Sequence, residues 1–326
     1  MKSDQTTTPK AYQPGVAAAA TRLAFESAPE RPGQLSCISD ALKLPVPGRR
    51  RAKRPAIRLT DRHYATVELV AQARALRTDQ IQTALYPLGP NSSSACRRCL
   101  TKLLRHGYLD RLPRPSVNEP AIYVLSRRSV AGNRLLRERW GEAELRRQMS
   151  RLGSLDHLLA VNDLRVRILR ATQELGWQLR LWQRSEELAP LLKEADLVPD
   201  AYFQIERTVD GQPRTAAFFL ELERAGKSSR VLRSKLQRYG ELYYGGTYER
   251  LFARRALRVL FVFAPSRASP TFRRVQAGLA QARSLGITIA RFAGLDQLKG
   301  LPPVACLTSP LWYSPVQDEP IPLFEA

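Results

Sequence analysis

Two glutamates, Glu221 and Glu223, interrupt the apolar run AAFFLELE. The run alternates as a β-strand does, with Phe218, Leu220 and Leu222 on one face and Phe219, Glu221 and Glu223 on the other. A carboxylate on a buried face needs a partner, because desolvation penalises its charge. Asp200 supplies a third acid, just after Pro199 at the start of the preceding strand, VPDAYFQI. If the two strands pair as a hairpin, the three acids converge on one sheet face. Such a set suits a hard cation, Mg²⁺ (or Mn²⁺), which takes oxygen ligands and one or two carboxylates. Lys235 and Tyr239 lie four apart on the next helix, SSRVLRSKLQRY, and share a face that leans over the acids. The chemistry this suits is cutting a phosphodiester. The competing reading is of acids on a solvated edge strand, or paired with nearby arginines.

The elements around these residues must hold them in place. LDHLLAVNDLRVRILRATQELG reads as a helix, WQLRLWQ as a strand, and LRVLFVFA as a buried central strand because it is continuously apolar. PTFRRVQAGLAQARSLG is an amphipathic helix and ITIARFAG a further strand. The order helix, strand, strand, strand, helix, strand, helix, strand predicts a mixed α/β sheet with helices on both faces. On the first of these helices His157, Val161, Leu164 and Ile168 form a stripe, and His157 and Asn162 are its polar interruptions. A single histidine in such a stripe is more often a packing residue than a ligand.

Upstream, Thr60 caps DRHYATVELVAQARAL, in which Tyr64, Val67, Val70 and Ala71 recur at helical spacing. Thr78 caps a short helix, DQIQTAL. NSSSACRRCLTKLLRH is a third helix, with Cys99, Leu103 and Leu104 inward and Arg97, Arg98 and Lys102 outward. YLDRL and AIYVLS are short strands around a Pro-rich tip. Three helices and a hairpin outline a winged helix-turn-helix, whose third helix enters the major groove. The same outline also serves protein contacts. Cys96-x-x-Cys99 lacks a second ligand pair at zinc spacing, so no zinc is expected and the thiols read as core residues.

Of 326 residues, 52 are Lys or Arg and 30 Asp or Glu, a net charge of +22 that points to a polyanionic partner, DNA or RNA before an anionic membrane. Neither a transmembrane run nor a signal peptide is evident, and four scattered cysteines do not make a disulfide framework. The expected location is cytoplasmic, with no membrane partner. The expected organisation is a disordered basic arm (1–56), a winged helix-turn-helix (57–128), a helical connector (129–153), an α/β domain (154–300) and a Pro-rich tail (301–326). The arm ends in a basic cluster, Arg49, Arg50, Arg51, Lys53 and Arg54, placed to bind phosphates beside the DNA-binding domain. Its competing reading is a solvated linker.

The α/β order, with Asp on the second strand and an acid pair on the third, resembles the PD-(D/E)xK nuclease superfamily. The chain as a whole resembles the replication-relaxation family of plasmid and mobile-element proteins, which joins a winged helix to such a nuclease-like domain. The residues that carry this are LTKLLRHGYLDR, HLLAVNDLR, Pro199-Asp200-Ala201, and FFLELERAGKS through KLQRY, over roughly residues 58 to 295. The resemblance implies that Asp200 and Glu221 bind the metal, with Glu223 as a third ligand or base. It departs at Glu223, where the pattern has lysine. Lys235 is the expected replacement ammonium, ahead of Lys227. His157 and Asn162, on the matching helix, are then expected to line the same pocket with Tyr239.

The expected function is that of a Mg²⁺-dependent DNA endonuclease of a plasmid or mobile element. Its rival is a non-catalytic accessory factor in replication, mobilisation or transcription, with a degenerate nuclease fold. Expected partners are double-stranded DNA, other proteins of a replication, mobilisation or transposition assembly, and a second copy of the chain. Tyrosine relaxase chemistry is disfavoured, since His63, His106 and His157 form no His-x-His site, and no Walker phosphate loop occurs.

Overall fold

A computed structural model describes residues 58–86, 89–113, 116, 118–126, 136–138, 140–141, 154–224, 229–267 and 269–325. All of them fall in one unit, Pro55–Ala326. The basic arm with Arg49, Arg50, Arg51, Lys53 and Arg54, most of the connector, and Lys227 lie outside the described residues.

The chain begins with α1 (Asp61–Ala73), β1 (Leu76–Arg77), α2 (Thr78–Leu85) and α3 (Ser92–Arg105), then β2 (Leu109–Leu112) and β3 (Ile122–Leu125). The Thr60 amide donates to His63 Nδ1 at 3.1 Å, closing the first turn of α1. Val67, Val70 and Ala71 are buried as their spacing predicts, whereas Tyr64 is 37% exposed. On α3, Cys96, Cys99, Leu100 and Leu103 turn inward and Leu104 is half-buried, while Arg97, Arg98 and Lys102 are exposed. Gly107, at φ 77°, lets the chain leave α3 for β2. The three short strands form an antiparallel sheet in the order β1-β3-β2. At two residues, β1 is too short to leave a periodic signal.

The second part runs α4 (Leu155–Glu174), β4 (Gln178–Arg184), α5 (Ser185–Leu188), β5 (Ala201–Val209), β6 (Gln212–Glu223), α6 (Ser229–Tyr244), α7 (Thr247–Phe252), β7 (Arg258–Phe263), α8 (Thr271–Ser284), β8 (Ala290–Gly294), α9 (Leu295–Gly300) and α10 (Ala305–Thr308). Its sheet has the order β4-β5-β6-β7-β8; β4, β5 and β6 are antiparallel neighbours, and β6, β7 and β8 are parallel. The mixed α/β expectation holds. Alternation along β6 sorts its side chains between two cores. Phe219 packs with Leu236, Tyr239, Phe261 and Leu279 under α6 and α8. Phe218, Leu220 and Leu222 pack with Val161, Leu164 and Ile168 of α4 on the other face. The stretch from Leu301, read as a Pro-rich tail, is seated on that second core through Leu307, Leu311, Trp312, Leu323 and Phe324. The strand expected at ITIARFAG starts later, at Ala290. Among the described residues no helix is long and apolar enough to cross a membrane.

Candidate functional site

The site is built on the β5–β6 hairpin. Asp210 and Gly211, both at positive φ (52° and 73°), make the two-residue turn that matches the right-handed twist of the strands. That turn fixes the register, pairing Ala201 with Leu220. Asp200, one residue before β5, donates its amide to the Leu220 carbonyl at 3.0 Å. Its Oδ2 accepts the Leu222 amide at 2.7 Å, and its Oδ1 lies 2.8 Å from His157 Nε2 at the start of α4. One strand and one helix therefore hold the Asp200 carboxylate.

Glu221 and Glu223 face the α6 side and are 1% and 3% exposed. Lys235 Nζ donates to Glu221 Oε2 at 2.5 Å and to Glu223 Oε1 at 2.6 Å. One turn further along α6, the Tyr239 hydroxyl donates to Glu221 Oε1 at 2.7 Å. The i, i+4 spacing of Lys235 and Tyr239 thus puts an ammonium and a phenol on the two oxygens of a single buried carboxylate.

Burial pushes the Glu221 carboxyl up to about 7, against the pull of Lys235 and with the charge of Asp200 adding to the rise. Burial works against the Lys235 ammonium, but Glu221 and Glu223 outweigh it and hold the amine above its ordinary range. Burial and the neighbouring Glu221 raise Tyr239 well above a free phenol, so it stays a donor. Only part of this cluster meets solvent: the side chains of His157, Asp200 and Lys235 are 30%, 18% and 20% exposed.

Asn162 is not in this pocket. Its Nδ2 donates to the carbonyls of Ala73 and Ala75, at 3.0 and 2.9 Å, on the side of α4 facing the first part of the chain. Five residues beyond His157 is about half a turn out of phase on a helix, so the two side chains point to opposite faces. Arg97, Arg98 and Lys102 stand on the exposed face of α3, beside a groove of about 480 Å³ lined in part by Arg62, Arg98 and Lys102.

Sequence reasoning missed Arg274. From α8 it donates to the carbonyls of Glu223 (2.9 Å) and Ala264 (2.6 Å) and lies over the Phe263 ring, so it ties together the ends of two parallel strands. Nothing in the local sequence marks it among 52 basic residues. It lies at the carboxyl end of the parallel strands, where open α/β sheets place their ligands.

A family model described as Replication-relaxation matches residues 67–254, more than half of the chain. The chain belongs to the Replication-relaxation family. The match takes in His157, Asp200, Glu221, Glu223, Lys235 and Tyr239, and stops short of Arg274. No curated protein matches. Among solved structures, the chain is similar to the restriction endonuclease FokI bound to DNA, at 13% identity and a TM-score of 0.25, over 75% of this chain and 45% of that one. The chain thus spans under half the length of that chain.

A hard cation at this site of the Replication-relaxation chain would meet the following donors. Asp200 and Glu221 bring carboxylate oxygens, each with lone pairs beyond its present bond. A cationic group, Lys235 Nζ, already bridges Glu221 and Glu223. Among the described residues no three His, Cys, Asp or Glu side chains form a ligand cluster. The expected convergence of three acids as a ligand set is thus not seen among the described residues; the acids of β6 are engaged by an ammonium instead.

Proposed function

We propose that this Replication-relaxation protein binds double-stranded DNA through residues 58–126 and hydrolyses a phosphodiester at the carboxylate cluster, with Mg²⁺ or Mn²⁺. The observation that carries the reading is Lys235 reaching both Glu221 and Glu223 from α6. It places an ammonium at the acids of β6 although the strand position itself is Glu223. A PD-(D/E)xK-like arrangement with its lysine supplied by the helix accounts for that contact. In this reading Asp200 and Glu221 hold the ion, which when bound supplies charge at the scissile phosphoryl oxygens and lowers the pKa of water. His157 and the Leu222 amide orient Asp200, and Tyr239 orients Glu221. Glu223 is a third oxygen donor or takes the proton of the attacking water. Lys235 offsets the negative charge that grows on the phosphate.

The DNA half of the reading rests on element order and charge. Helices α1 to α3 followed by the β2–β3 hairpin are the parts of a winged helix, and α3 displays Arg97, Arg98 and Lys102 on its free face. The net charge of +22 supplies phosphate affinity.

A second reading has its own support. Both oxygens of Asp200 and both of Glu221 already have protein partners, as in a structural ion cluster. The chain is then a DNA-binding accessory factor whose acids only brace the sheet.

Supercoiled plasmid separates the two. With Mg²⁺ or Mn²⁺, wild type is expected to nick or linearise it, and Glu221→Ala to lose on the order of a hundred-fold or more in rate while still binding DNA. Equal DNA binding with no cutting by either protein would leave the accessory factor standing.

A further inference from the structure

Helix α4 carries two sets of contacts. One stripe, Val161, Leu164 and Ile168, packs on the large sheet, and His157 at its start holds Asp200. The opposite stripe is embedded in the first part of the chain. Val166 belongs to the core of α1, α2 and α3, and Leu159 packs with Ala75 and Ile122.

The polar residues between these stripes are bonded across the boundary. Asn162 Nδ2 caps the carbonyls of Ala73 and Ala75, where α1 gives way to β1. Asp163, 6% exposed, accepts from Arg77 at 2.5 Å, from Gln80 at 2.7 Å and from Lys299 of α9 at 2.8 Å. One carboxylate thus joins β1, α2, α4 and α9. Arg165 of α4 adds a bond to Gln72 at 3.0 Å, and Arg74 pairs with Glu186 of α5. A loosely tethered module meets its neighbour through exposed, interchangeable pairs. Here the contacts are buried, directional and spread over several elements, so a hinge would have to strand a buried charge and two capped carbonyls.

We propose that Asn162 and Asp163 lock the first part of the chain to the sheet as one rigid body, so that DNA seated on α3 meets the carboxylate cluster at a single fixed offset. They are positioning residues that act through α4: Asn162 lies about 8 Å along the helix axis from His157. The fixed offset rests on the proposed function; the rigidity does not.

Electron–electron double resonance between spin labels at Asp61→Cys on α1 and Glu241→Cys on α6 tests the lock, with Cys37→Ser as background because Cys96, Cys99 and Cys306 are buried. One narrow distance peak is expected, unchanged by added duplex DNA. Asp163→Asn, which keeps the volume and gives up the charge, is expected to broaden it, and Asn162→Ala to do so less. Circular dichroism confirms that each variant is folded. A broad or two-peaked distribution in the parent overturns the proposal, as does a narrow peak indifferent to both substitutions. For the offset, an iron chelate tethered through the Glu241→Cys substitution alone cleaves bound DNA whether or not the protein is a nuclease. A single cluster of cuts that spreads in Asp163→Asn is the expected pattern; cuts spread over many positions in the parent overturn it. Failure of the nuclease reading shows separately, as absence of metal-dependent cutting without the chelate.

Discussion

Asp163 and Glu221 are both acids buried beneath helices, and their surroundings differ in one respect. Asp163 faces two cations, Arg77 and Lys299, and an amide from Gln80. Glu221 shares one ammonium with Glu223, and the charge of Asp200 works against it. The consequences run in opposite directions. Burial opposes the Arg77 charge, yet Asp79 and Asp163 hold that guanidinium above its ordinary value. Glu221 is pushed up to about 7 despite its lysine. Where a buried carboxylate meets two cations from different elements, it is a joint between them. Where a buried carboxylate has to share its ammonium and stands near another acid, its proton is held more tightly.

The largest effect expected from this contrast is on folding. Asp163→Ala removes the common partner of Arg77, Gln80 and Lys299, and should cost about 3 kcal/mol in denaturant unfolding. That is the low end of the range for a broken buried pair, because the Lys299 side chain is 43% exposed and can turn to water. A loss within experimental error would mean that the joint is not a joint.

An effect of similar size and opposite sign is expected at Glu221. A carboxyl whose folded pKa is raised above its unfolded value favours the folded state at low pH, and that contribution is lost as pH rises through the folded pKa. For Glu221 the window runs from the ordinary value of 4.5 to about 7. Glu221→Gln stays neutral throughout. Measured with chelator present, its stability relative to wild type should climb by about 3 kcal/mol across that window and level off above it. A parallel pair of pH–stability curves would show that Lys235 and Tyr239 fully compensate the charge, and the contrast with Asp163 would collapse.

The legibility of the two sites in the sequence follows the same division. Period-2 alternation sorted β6 correctly between its two faces, and an i, i+4 pair sufficed to bring Lys235 and Tyr239 over Glu221. Those are local regularities, and local regularities can be read from a chain. The seam could not be read that way. Asp163 meets partners 86 and 136 residues away, and no pattern within α4 distinguishes an aspartate that bonds Arg77 from one that faces solvent. Asn162 is missed for a related reason: the family resemblance places its helix at the pocket, but α4 buries both of its faces and Asn162 lies on the other one. Arg274 escaped because its role lies in bonds to carbonyls, which depend on strand ends meeting in space rather than on residue type.

The smallest effect decides most directly whether the cluster on β6 takes a cation. An ion that binds only the folded state stabilises it by RT ln(1 + [L]/Kd), about 1.4 kcal/mol at ten times its dissociation constant. Thermal unfolding should therefore shift upward as Mg²⁺ is added to wild type at neutral pH and constant ionic strength. Glu221→Gln should lose the shift, since an amide oxygen is a weaker donor and carries no charge. Asp163→Asn, though less stable at the outset, should keep it, because its surroundings offer cations and no free acid. If Mg²⁺ moves neither wild type nor Asp163→Asn, the cluster on β6 is satisfied by its protein partners. The two carboxylate sites would then differ in degree of compensation and not in kind.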